Sequence, residues 1–133
     1  MAGAEGWQLS NPPILGLAPL LASLEIFDEV GVDALRTKSV QLTGYLEYLL
    51  QEKLADEVEV LTTTDPAWRG CQLSLRLHKG RDAARRVFER LEEAGVTGDW
   101  REPDVIRVAP VPLYNSYRDV FEFVRILAGL VVA

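Results

Sequence analysis

The chain has 133 residues, enough to bury one core and little more. Hydrophobic residues make up 48% and charged residues 26%, the balance of an ordinary globular domain. A net charge of −6 argues against nucleic acid or an anionic membrane as partner. The longest apolar run, Ile14 to Leu24, is too short for a membrane span and is interrupted by Gly16 and Pro19. It lacks the basic leader of a signal peptide, so no membrane association and a cytoplasmic location are expected. Cys71 and His78 are the only residues of their types, which excludes an intrachain disulfide and leaves no metal site. There is no glycine-rich phosphate loop and no low-complexity segment.

Pro12 and Pro13 suit a helix entrance, and a helix is predicted from Ile14 to Val30, stopping at Gly31. Pro19 falls inside it and predicts a kink or an early break. A longer helix is predicted from Asp33 to Leu54, with Leu35, Leu42, Leu46, Leu49 and Leu50 largely on one face. Glu57 to Leu61 suits a short strand, and Asp65-Pro66 marks a turn. Cys71, Leu73, Leu75 and Leu77 alternate with Gln72, Ser74, Arg76 and His78, the clearest strand pattern in the chain. On that pattern Cys71 reads as a small buried hydrophobe rather than a nucleophile, since no histidine base is placed for it. Lys79 and Gly80 read as a solvated turn.

Arg81 to Ala94 is amphipathic, with Ala84, Val87, Phe88 and Leu91 as the apolar stripe. Arg85, Arg86 and Glu89 read as its solvated face, and Gly95 suits its C-terminal cap. Short strands are predicted at Val96–Asp99 and Val105–Ala109, and a closing helix at Ser116–Val131 that turns Val120, Phe123, Val124, Leu127 and Val131 inward. The order is helix, helix, strand, strand, helix, strand, strand, helix. It predicts an α+β fold, with helices packed on one small, mainly antiparallel sheet.

One segment stands out chemically. In Ile106-Arg107-Val108-Ala109-Pro110-Val111-Pro112-Leu113-Tyr114-Asn115-Ser116, an arginine sits in an apolar strand that leads into a proline-stiffened bend. A guanidinium there is costly without an anion to meet it, and its planar fork fits a carboxylate. Pro110 and Pro112 remove two backbone donors, so the chain cannot run on as a central strand, and Asn115 or Ser116 can cap the next helix. Pattern alone favours a structural ion pair between Arg107 and Asp99, Glu102 or Asp104.

This segment resembles the C-terminal end of the kynureninases, pyridoxal-phosphate enzymes. Four further stretches resemble the same family, in family order. They are Ser10-Asn11-Pro12-Pro13-Ile14, Ala22-Ser23-Leu24-Glu25-Ile26-Phe27, Lys38-Ser39-Val40-Gln41-Leu42-Thr43-Gly44-Tyr45-Leu46-Glu47-Tyr48-Leu49 and Arg69-Gly70-Cys71-Gln72-Leu73. Together they span about Gly6 to Leu130, nearly the whole chain, but only the last third of such an enzyme.

The resemblance implies the C-terminal small domain of a fold-type I pyridoxal-phosphate enzyme over residues 1–133. Residues 1–13 would lead in from a missing N-terminal large domain, 14–54 would form a helical part and 55–133 an α/β part. It implies that Arg107 holds the substrate α-carboxylate. Asn11 would reach the cofactor and substrate region, with Ser10 beside it as a weaker substrate-binding candidate. Read from the residues alone, Asn11 is an Asn-Pro turn and helix N-cap, while Tyr114 and Asn115 pack and cap. Trp7 is not expected to touch the cofactor.

The implied reaction is hydrolysis of L-kynurenine or 3-hydroxykynurenine to anthranilate or 3-hydroxyanthranilate and L-alanine, in tryptophan catabolism, by a homodimer. The family's Schiff-base lysine belongs to the large domain, and Lys38, Lys53 and Lys79 match no such context. No catalytic residue is therefore expected in this chain, and it should be inactive alone.

Two other readings stand beside this one. Class V aminotransferases and cysteine desulfurases also place an arginine before a Tyr-Asn pair. Their usual serine two residues after that arginine, and their frequent histidine before the tyrosine, are Ala109 and Leu113 here. A stand-alone amino-acid-binding or regulatory module would use Arg107 to grip a carboxylate.

Overall fold

A computed structural model describes residues 2–132. They fall into two compact units, within Met1–Ala34 and Leu35–Ala133, the division lying at the start of the second helix. The first unit holds a 3-10 turn, Ala4–Trp7, and helix α1, Ile14–Val30. The second holds most of α2 (Val32–Leu54), strands β1 (Val58–Val60) and β2 (Leu73–Leu77), α3 (Arg81–Glu93), β3 (Asp99–Arg101), β4 (Val105–Val108) and α4 (Tyr117–Val131). Apart from the 3-10 turns, the element order is the one that the periodicity predicts.

In the first unit, α1 runs unbroken through Pro19, so of the two expected outcomes, a kink or an early break, the break does not occur. Proline removes one N–H from the ladder, and the bonds on either side suffice to carry the helix on. Gly31, at φ 82°, ends it in a conformation that a side chain would strain. Pro13 stands at the N-cap without a side-chain hydrogen bond, so Asn11 does not cap this helix.

The sheet of the second unit has the order β1-β2-β4-β3, with every pairing antiparallel. Period-two alternation decides its two faces. Leu73, Leu75 and Leu77 of β2 and Ile106 and Val108 of β4 are buried on one face. On the other, register aligns Asp99, Arg107 and Ser74 in one row and Arg101, Val105, Arg76 and Glu59 in the next.

Three helices complete the core. Leu42, Leu46, Leu50 and Leu54 of α2 join Ala84, Val87, Phe88 and Leu91 of α3 and Val120, Phe123, Val124, Leu127 and Val131 of α4. Every inward residue expected on these helices is buried. Fully burying one such leucine stabilises the fold by about 1.5–3 kcal/mol.

Some boundaries differ from expectation. The third strand occupies Asp99–Arg101, not Val96–Asp99. The Val96 amide donates to the Leu91 carbonyl to close α3, so pairing with β4 begins only at Asp99. Cys71 precedes the second strand and is half-buried rather than a core residue. Lys79 is more than a solvated turn residue: its Nζ donates to the Val131 carbonyl at 2.6 Å, meeting the negative end of α4.

Candidate carboxylate-binding site

Arg107 lies near the end of β4, on the polar face of the sheet, with 29% of its side chain exposed. Ile106 and Val108 face the core, and alternation sends the arginine to the opposite side. Its cross-strand neighbour on β3 is Asp99. Arg107 Nε donates to Asp99 Oδ2 at 2.5 Å, and Nη2 pairs with the same oxygen. Of the three acids near it in sequence, Asp99 is thus the partner. Asp104 pairs with Arg76, and Glu102 with Arg81.

A guanidinium has five N–H donors in a rigid fork. Asp99 occupies the Nε–Nη2 edge. Among the described residues nothing else bonds to Arg107, so its Nη1 end is open. Arg101 Nε meets the same Asp99 oxygen at 2.8 Å. The cluster therefore holds two cations and one anion, and it retains a net positive charge that a carboxylate can neutralise. The hydrogen bond from Arg107, with the charges of Arg101 and Arg107 beside it, holds the Asp99 carboxyl below its ordinary range. Asp99 is thus ionised at neutral pH and fixes one edge of the arginine.

The backbone around Arg107 is tightly set. Gly98 passes so close that an added Cβ would lie 3.3 Å from the Arg107 carbonyl oxygen, tighter than most side chains tolerate. Beyond β4 the bend is pinned from two sides. Asn115 Oδ1 accepts from the Val111 amide at 2.8 Å, and Lys38 Nζ of α2 donates to the Pro112 carbonyl at 2.7 Å. Ser116 then opens α4 with a reciprocal capping box: its Oγ accepts from the Asp119 amide, and its own amide donates to Asp119 Oδ2. Of the two residues proposed as cap, Ser116 serves α4 and Asn115 ties the bend.

A cleft of about 520 Å³ opens beside this bend, lined in part by Thr97, Tyr114, Asn115, Asp119 and Phe123. Arg107 does not line it, and its amide and carboxylate there are already engaged with Val111 and Ser116.

Asn11 and Ser10 lie in the first unit, both exposed. The Ser10 carbonyl accepts from Gln8 Nε2 at 2.8 Å, and the Asn11 amide has no hydrogen-bond partner among the described residues.

Two features escaped the sequence reading. Arg101 completes the charge balance at Asp99, and its place two residues along the same strand was the available signal. Glu47 and Arg69 form an enclosed ion pair at 2.7 Å, with 12% and 5% of their side chains exposed. Arg69 also donates to the Thr63 carbonyl at 3.1 Å, tying the loop before β2 to α2. No spacing rule links residues so far apart in sequence.

A family model, the kynureninase C-terminal domain, matches residues 35–127. The chain belongs to the kynureninase C-terminal domain family. The matched span coincides closely with the second compact unit, so the family domain and the helix-covered sheet are the same object. The chain is 61% identical over 123 residues to the kynureninase of Xanthomonas campestris pv. campestris, and 60% identical to that of Stenotrophomonas maltophilia. These matches cover 92% of this chain and 29% of each relative, so the chain spans under a third of the length of the kynureninases it resembles.

Among solved structures it is similar to 8-amino-7-oxononanoate synthase from Francisella tularensis, with a TM-score of 0.62 over 92% of this chain and 34% of that one. At 17% identity the likeness concerns the fold alone. It agrees with the expected α+β class, helices packed on one small antiparallel sheet. Among the described residues, no helix is long and apolar enough to cross a membrane.

Proposed function

We propose that this chain is the substrate-gripping C-terminal part of a kynureninase. In this reading the assembled enzyme hydrolyses L-kynurenine or 3-hydroxykynurenine to anthranilate or 3-hydroxyanthranilate and L-alanine, in tryptophan catabolism. The observation that carries the reading is the open Nη1 end of Arg107 in a net-cationic cluster, within a chain of kynureninase sequence. An amino-acid α-carboxylate supplies the anion that this cluster lacks. A grip of this kind fixes the amino acid so that one bond is correctly presented to the reactive group. Asp99 holds the guanidinium in plane, and Arg101 keeps Asp99 from cancelling its charge.

Pyridoxal phosphate, when bound, supplies the electron sink for cleaving the bond next to Cβ. The residues here do not make a site for it on their own. Lys38 and Lys79 donate to backbone carbonyls, Lys53 lies exposed on α2, and none is placed as an anchor. Only the free Asn11 amide, with Ser10 beside it, offers donors toward the cofactor and substrate, and the remaining contacts belong to the large domain that this reading requires. The isolated chain is then inactive, and the full enzyme is a cytoplasmic homodimer.

The test is co-expression of this chain with the N-terminal part of the X. campestris kynureninase, followed by assay of anthranilate and alanine release. Activity that needs both pieces, and that falls in Arg107→Lys, supports the reading. Saturable amino-acid binding by the 133-residue chain alone, abolished by Arg107→Ala, overturns it in favour of a stand-alone binding module.

A further inference from the structure

We infer that α1 is a docking helix, built to be enclosed by the N-terminal part of a kynureninase in an apolar cleft with a basic residue at its mouth. The proposed function enters only through the identity of that partner.

The first half of helix α1 has no polar face. Ile14, Leu15, Leu17, Leu20 and Leu21 surround its axis there, and none of the helix's residues is buried. Its first ten residues, 14–23, carry no charge. A helix that is apolar all round belongs inside protein or lipid. Lipid does not fit, because 17 residues reach only about 25 Å and Pro19 lies within them. A second copy does not fit either: two packed helices cover one face of each and leave the far faces wet. Enclosure needs surfaces on several sides, which a larger domain provides.

The comparisons say which domain that is. Matches covering 92% of the chain take in α1, yet the C-terminal domain model starts only at residue 35. Helix α1 is therefore kynureninase sequence outside the C-terminal domain. The relatives carry more than twice as much additional polypeptide as this chain covers. The charges complete the picture. Glu25, Asp28 and Glu29 gather at the C-terminal end of α1, where the helix dipole already places negative charge. None of them forms an ion pair among the described residues, so a cation from the partner would meet them.

The test is co-expression of the tagged chain with the N-terminal part of the X. campestris kynureninase, read by light scattering on a sizing column. The expected result is a heteromeric complex, lost in Leu20→Glu/Leu24→Glu, while amide exchange in β2 and α4 is unchanged. A complex that survives both substitutions overturns the inference. So does a homodimer of 14.8-kDa chains that the same substitutions dissociate, which would assign α1 to a second copy.

Should the N-terminal part not fold separately, a single fused chain gives the second reading. There α1 amides exchange much more slowly than in the 133-residue chain, and equal exchange in both overturns the inference. Complex formation without kynurenine cleavage would sink the proposed function and leave the docking role standing. Cleavage by a complex indifferent to α1 would do the reverse.

Discussion

Asp99 holds Arg107 by one edge of its guanidinium and leaves the other end open. The two residues are direct cross-strand partners, so the backbone register of β3 on β4 sets the grip. An arginine so placed is a structural ion pair with donors to spare, so the proposed carboxylate grip does not compete with the pairing. Arg101 gives Asp99 a second cation to satisfy.

This arrangement makes a prediction about residues on either side of Asp99. In the assembled enzyme, Arg107→Lys removes the planar fork, and the KM for kynurenine rises by about tenfold or more, the worth of a charge-assisted hydrogen bond. Arg101→Gln touches no substrate in this reading, yet KM rises by a smaller factor, because Asp99 then neutralises Arg107 alone. The turnover number changes less than KM in both. Steady-state kinetics checks this, and an unchanged KM in Arg107→Lys removes the carboxylate role.

Acid should unfold this chain through specific carboxylates. Three are held below their ordinary range. Asp99 is lowered chiefly by the hydrogen bond from Arg107, Glu102 by the Trp100 indole and then Arg81, and Asp119 by the Ser116 amide and hydroxyl. A lowered folded-state value means that the unfolded chain binds protons first as pH falls. Their stabilisation is thus complete above the usual carboxylate range, near pH 4, and is lost as pH drops through it toward the lowered values. Urea midpoints should be flat from neutral pH to about 5 and then fall. Asp99→Asn should shallow that fall.

The Glu47–Arg69 pair is enclosed enough to matter when broken. Arg69→Met leaves a carboxylate inside with no counter-charge, and stability should drop by about 3–5 kcal/mol. The double variant Glu47→Gln/Arg69→Met should lose markedly less, because no lone charge remains. Urea titration of the three proteins decides it. Equal losses in the single and double variants would mean that Arg69 acts by packing and not by charge.

How far the sequence reveals this molecule depends on whether a signal is periodic or relational. The stripes Ala84, Val87, Phe88, Leu91 and Val120, Phe123, Val124, Leu127, Val131 follow a helical period, and each residue named from it is buried. The alternation of Leu73, Leu75 and Leu77 likewise gave the central strand. Val96 looks like a strand residue, but its amide is taken by the end of α3, so the third strand starts later than its pattern suggests. Lys79 and Arg69 were opaque because their partners, Val131 and Glu47, lie far away in the chain. Arg107 stood out through its apolar flanks, and Asp99 was among its three named partners. Only register could choose between them and bring in Arg101.

The bend after Arg107 offers a last prediction, because two adjacent residues hold it differently. Asn115 Oδ1 accepts from the Val111 amide inside the bend, whereas Ser116 caps the helix that follows. Ser116→Ala should lower global stability by about 1 kcal/mol, the usual cost of losing such a cap, with Val111 still protected relative to its neighbours. Asn115→Ala frees the Val111 amide, and its exchange should quicken even where global stability is little changed, since the loss is local. Residue-resolved exchange separates the two. The path from Arg107 through Pro110 and Pro112 loses one of its two pins when that amide is freed, leaving only Lys38 on the Pro112 carbonyl, so Asn115→Ala should also weaken carboxylate binding in the assembled enzyme, while Ser116→Ala should not.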